Sequence, residues 1–197
     1  SLALMRRFAD EGRLPLRIDA YADGDSGALA DLCEHGLYRH DGGRLQMTGV
    51  KLFMDGALGS RGAALLADYS DDPGNRGLLV TDPAAFGAAV IRARDCGVQV
   101  ATHAIGDRGN RIVLDTYEYA LKGRGARPDH RWRVEHWSAA RADQFQRAAE
   151  LGVATPMAGS GSRSPGRRPS TTPASATGTR WSREGPKAAG PRMPIAS

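Results

Sequence analysis

Three polar side chains stand where apolar segments of this chain run out. Lys51 lies inside "GVKLFMDG", His103 closes "VQVATH" and His136 closes "WRVEH". Two imidazoles and an anionic oxygen donor make an ordinary ligand set for zinc or a similar divalent ion. Each residue also has a plainer reading. A single histidine at a strand end is commonly a hydrogen-bonded structural residue. Lys51 either faces a protein interior, where desolvation lowers its pKa, or points outward and reaches solvent between helices; its context leaves these two readings level. Two histidines at the ends of consecutive strands favour the ligand reading, because ligands of parallel α/β proteins gather outside the carboxyl ends of the strands.

The segments that must carry these residues follow an alternating pattern. A helix ends near Gly12, a strand covers "LPLRIDAY" (14–21) and a short helix covers 27–37. "LQMTGVKLFMDG" (45–56) predicts a strand. "TDPAAFGAAVIRARDCG" (81–97) predicts a helix, with Thr81 or Asp82 as its cap, Pro83 in the first turn and Gly97 past its end. A strand over 98–104, a helix over 107–122 with Asp107 as its N-cap, a strand over 131–137, a helix over 140–151 and a last strand, "GVATPM" (152–157), complete the series. Strands alternating with helices at this spacing imply parallel βαβ units, with strands buried on both faces.

Composition bounds the remaining choices. Hydrophobic residues make up 41% of the 197, enough for a packed core, and no apolar run is long enough to span a membrane. The chain opens on Ser1 and not on Met, which points to a missing upstream part; its first twelve residues lack the features of a signal peptide. Cys33 and Cys96 are far apart in helical patterns, which predicts buried or free thiols, a reducing compartment and a cytoplasmic setting. Residues 158–197 are rich in Pro, Gly, Ser and Arg, with seven Arg and Lys against a single Glu. They predict a disordered basic tail, read as a solvated linker or as out-of-frame coding sequence. The net charge is +5 overall and +6 in that tail, so residues 1–157 sum to −1, which argues against a nucleic-acid partner.

Three separated stretches, "VKLFMDGALGSRGAALLADYSDDPGNRGLL", "ATHAIGDRGNRIVLDTYEYAL" and "RWRVEHW", give residues 1–157 a resemblance to the metal-dependent amidohydrolase superfamily, and within it to the amidohydrolase-3 group with its N-substituted formamide deformylases. The resemblance implies an α/β fold, a partial (β/α)8 TIM barrel of about strands three to seven. It implies one or two divalent metal ions, zinc foremost, held by His103, His136 and a Lys51 carboxylated by CO2. The implied reaction is hydrolysis of a non-peptide C–N bond (amide, formamide or cyclic amide) in a small-molecule substrate, through a water that the metal acidifies.

The same resemblance shows what to look for and not find. The His-X-His pair of the first strand is absent, and so is the aspartate of the last strand that deprotonates the attacking water. His35, His40 and His130 sit in polar or loop contexts and are poor substitutes. The alternative reading is therefore a truncated, non-catalytic fragment, whose open sheet edges predict pairing with a partner or self-association into a homo-oligomer. At the barrel mouth, Asp55 either contacts substrate or metal or caps a turn. Arg61 either grips a substrate carboxylate or pairs with the acids of "DYSDDPGN", a turn-rich stretch suited to a lid. Glu135 should point to the opposite strand face from His136 and pair with Arg133.

Overall fold

A computed structural model describes residues 2–24, 27–123 and 129–156. The chain divides into residues 1–160 and 161–197, and all described residues belong to the first unit. The predicted basic tail, 158–197, lies outside the described residues.

The elements run α1 (Leu2–Asp10), β1 (Ile18–Asp23), α2 (Ala28–His35), β2 (Tyr38–Arg39), β3 (Leu45–Phe53), α3 (Pro83–Asp95), β4 (Gln99–Ala104), α4 (Asp107–Lys122), β5 (Arg133–His136) and α5 (Ala142–Glu150). Strands β1, β3, β4 and β5 form a parallel sheet in that order, and β2 adds an antiparallel pair on β3. β1 begins only at Ile18, because Pro15 cannot donate to a ladder and cuts the expected strand short. The strand expected at 152–157 reduces, among the described residues, to one parallel bridge between Arg133 and Ala154.

Local chemistry explains the helix ends. Asp82 accepts from the Ala84 and Ala85 N–H groups at 3.0 and 3.1 Å, and Pro83 follows it, so α3 is capped as its sequence predicts. Asp107 departs from expectation. Gly106 takes the cap position of α4, and the Asp107 carboxylate instead accepts from the Leu66 N–H at 2.9 Å, tying a distant loop to the helix start.

The core lies on one face of the sheet. Val50, Leu52 and Met54 from β3 and its exit, Val100, Thr102 and Ala104 from β4, and Val134 from β5 pack under Phe86, Val90 and Ala93 of α3 and Val113, Leu114, Tyr117 and Ala120 of α4. The one hydroxyl that β4 sends into this layer is satisfied: Thr102 Oγ1 lies 2.8 Å from the Tyr117 hydroxyl, which donates onward to the Arg133 carbonyl. The expectation of strands buried on both faces is corrected here. The alternate residues Lys51, Phe53, Gln99, His103, Arg133 and Glu135 are half-buried or exposed, because among the described residues no helix covers their face.

The cysteines also depart from expectation. Cys33 near the end of α2 and Cys96 just past α3 form a disulfide. Packing of α2 against α3 brings together residues 63 apart in sequence, which no local spacing rule could reveal. With free thiols excluded, the cysteines no longer argue for a reducing compartment. No described helix is long and apolar enough to cross a membrane.

Candidate metal centre

The parallel register places the half-exposed face in order. Lys51 pairs with Ala101, Phe53 with His103, and His103 with Glu135. Register partners in a parallel sheet share a face, as do residues two apart in one strand. Lys51, Phe53, His103, Arg133 and Glu135 therefore stand together on the face away from α3 and α4. This decides between the two readings of Lys51: its side chain does not pass outward between helices.

Lys51 Nζ donates to the Leu52 carbonyl at 3.0 Å and sits 3.7 Å from the centre of the Phe53 ring. Burial lowers its pKa to about 8; Glu135 opposes this fall and Arg133 adds to it. The Phe53 ring in turn lies 5.8 Å from that of His103. Burial, with His136 beside it, holds the His103 imidazole below its ordinary pKa, so the ring is neutral at pH 7 with a lone pair to offer.

His136 reaches the same place by a different route. Its register partner is Ala104, a residue buried on the helix-covered face. A regular strand would send the imidazole there. Instead His136 and Trp137 have φ of 78° and 51°, left-handed values that non-glycine residues seldom adopt. The turn buries Trp137 completely and brings the His136 ring to 4.6 Å from the His103 ring, edge to face. Glu135 takes the strand-regular position on the site's face and pairs with Arg133 at 2.5 Å. The expected ion pair is present. The expectation of which residue the alternation aims at the site is reversed, because the backbone leaves the strand at His136.

Asp55 is buried and its carboxylate is occupied. It accepts from the Ala64 N–H (2.9 Å), the Ile105 N–H (2.9 Å) and the Gly106 N–H (2.8 Å). These contacts clamp the loop after β3 to the turn between β4 and α4. Arg61 Nη2 meets Asp71 at 3.0 Å on the surface of that loop, so its guanidinium is engaged within the acidic stretch. The loop is further held by an Asp68–Arg76 pair and by a hydrogen bond from the Tyr69 hydroxyl to the Ala63 carbonyl. The remaining histidines have structural partners: His35 pairs with Asp31, His40 with Asp10, and His130 with the Leu151 carbonyl and the Trp132 N–H. A hollow lined by Leu37, Gln99, His130 and Trp132 lies at the amino ends of β4 and β5 and does not include these site residues.

The residues present suit a divalent ion as part of a donor set. Two imidazoles lie side by side, at least His103 neutral, with a lysine of lowered pKa on the same face. Among the described residues no three His, Cys, Asp or Glu side chains converge on one point. Sequence reasoning missed Phe53, which bridges Lys51 to His103, and the anchoring role of Asp55. The period-two pattern of β3 could have found Phe53. Nothing local signals Asp55's partners, which lie 9 to 51 residues away.

Comparison with known proteins bears on the whole described region. Residues 1–170 match the amidohydrolase family. Protein LONG AFTER FAR-RED 3 of Arabidopsis thaliana is 46% identical over 92 residues, 47% of this chain and 16% of that protein. The putative amidohydrolase YtcJ of Bacillus subtilis is 40% identical over 82 residues, 42% of this chain and 16% of that protein. Crystal structures of uncharacterized metal-dependent hydrolases from Pyrococcus horikoshii and Pyrococcus furiosus superpose with TM-scores of 0.68 and 0.67 at 37% identity. They cover 78% of this chain, which in turn spans 30% and 31% of theirs.

Proposed function

This chain belongs to the amidohydrolase family, and from that premise we propose that it carries part of the metal site of a hydrolase for non-peptide C–N bonds. The observation that carries the reading is the pair of His103 and His136 rings, 4.6 Å apart at the carboxyl ends of β4 and β5, with Lys51 on the same sheet face as His103. The sheet order β1-β3-β4-β5 is the order successive strands take in a (β/α)8 barrel, and this supports reading the described region as a barrel sector. The substrate class is a small amide, formamide or cyclic amide, with the formamide deformylase-like branch as the finer assignment.

In this reading His103 and His136 offer imidazole nitrogens to a divalent ion, zinc foremost. Lys51 adds the anionic donor after its neutral amine attacks CO2: an N–C bond forms, a proton leaves to solvent, and the carbamate carries the negative charge. A pKa near 8 leaves a reactive fraction of neutral amine at physiological pH. When bound, such an ion acidifies a water and polarises the scissile carbonyl. The chain's own contribution is placement. The left-handed turn at His136 aims one ligand, and the Asp55 clamp fixes the floor around the other.

The test uses the full 197-residue chain, stripped with a chelator and reloaded with zinc in bicarbonate buffer. Wild type should bind zinc, and His103→Ala, His136→Ala and Lys51→Ala should each lower the bound metal. Turnover of N-formyl and cyclic amide substrates would place the reaction in this chain. Bound metal without turnover favours the fragment reading, in which the catalytic base lies outside these residues. Failure of the wild type to bind metal, or indifference to all three substitutions, would overturn the proposal.

A further inference from the structure

Asp55 does more than clamp loops, because its carboxylate also faces His103. Oδ1, which accepts from the Ile105 N–H, lies 3.6 Å from His103 Nε2. The Gly56 carbonyl oxygen lies 3.5 Å from the same nitrogen. Both neighbours are acceptors only. A lone pair on Nε2 would point at two oxygens, so the neutral ring must carry its proton there. Among the described residues no hydrogen bond engages Nδ1.

We infer that Asp55 is a positioning residue, which holds His103 in the Nε2–H tautomer and leaves Nδ1 as the nitrogen that meets a metal ion. This rests on the metal reading proposed above and adds to it a residue that acts through a ligand without touching the metal. Ring nitrogens of metal-binding histidines are commonly fixed by a carboxylate or carbonyl on the far side. The site is built to keep Asp55 in place. Three backbone N–H groups hold its oxygens, and a Cβ at Gly109 would come within 2.6 Å of Oδ2, so α4 is packed directly against the carboxylate. A Cβ at Gly106 would meet the Ala64 carbonyl oxygen at 1.9 Å, so the turn carrying two of those N–H groups also needs glycine. Side-chain burial agrees: Asp55 is wholly covered and His103 is 15% exposed.

The experiment reads the tautomer directly. Ring-15N-histidine labelling of the metal-free full-length chain, at a pH where His103 is neutral, should give an unprotonated Nδ1 and a protonated Nε2 for His103. In Asp55→Asn the one remaining oxygen is best placed toward the Ala64 and Gly106 N–H groups, which turns the NH2, a donor, toward His103, so the tautomer should invert or average. Zinc affinity should fall by about 10–100-fold, as for other residues that orient a metal-bound histidine. A Nδ1–H tautomer in the wild type overturns the proposal without any variant, even should Asp55→Asn fail to fold. An unchanged tautomer in a folded Asp55→Asn overturns it too. Wild-type protein with the expected tautomer but no zinc binding would defeat the metal reading and leave the positioning of His103 standing. Zinc bound by a wild type with the opposite tautomer would do the reverse.

Discussion

The two faces of the sheet are made by the same strands and obey different rules. On the face under α3 and α4, Val50, Val100, Thr102, Ala104 and Val134 are essentially inaccessible. On the other, Lys51, Phe53, His103, Arg133 and Glu135 alternate charge with aromatic surface and remain partly open. One residue along a strand separates a position that sustains the fold from one that offers chemistry. The lesson is that stability and reactivity can be altered nearly independently here, except where the backbone itself crosses from one set to the other, at His136.

That separation can be tested by stability measurements, from the greatest effect down. Phe86→Ala empties the centre of the helix-covered face beside Tyr117 and should cost about 3–5 kcal/mol in urea unfolding. A loss below about 1 kcal/mol would mean that this face is not the core. Replacing both Cys33 and Cys96 by Ser releases the tie between α2 and α3. Because the closed loop is long, thermal and urea unfolding should register a loss of roughly 2–4 kcal/mol, and a reductant should reproduce it in wild type only.

The remaining predictions concern the site's face and have smaller or opposite effects. His136→Gly relieves the left-handed backbone at φ 78° and should stabilise the protein by about 1 kcal/mol while weakening zinc binding. A destabilised His136→Gly would show that the imidazole supports the fold and not only the site. Lys51→Met removes a half-buried charge from the open face and should leave unfolding within about 0.5 kcal/mol of wild type, with metal binding reduced. If Lys51→Met unfolds the chain, the division between the two faces fails.

Much of this was legible in the sequence, for reasons that differ by element. The helix α3 is written in its own capping residues, Asp82 and Pro83, and forms within a residue or two of where they place it. The strands β3 and β4 are read from apolar runs, which survive any tertiary context that buries one face, whereas β5, Arg-Val-Glu-His, carries no such run. Asp107 was misread as a cap, because a short acid before a helix also suits a tether to a distant loop, and only Leu66's position distinguishes the two. β2 is two residues long and carries no signal of its own.

The candidate site divides in the same way. The residue types at the carboxyl ends of the strands are a local property of the chain: His103 stands where an apolar run stops, Lys51 lies inside one, and His136 closes the mixed segment Arg-Val-Glu-His. Tertiary structure alone decided which way they face and what surrounds them. The register of β3 on β4 put Lys51 on the same face as His103, and two left-handed residues carried the His136 ring around to His103, where strand alternation would have chosen Glu135. The Cys33–Cys96 bridge and the three N–H groups on Asp55 join residues far apart along the chain. Such contacts are set by how whole elements pack, and no window of sequence short enough to read as a motif contains both partners.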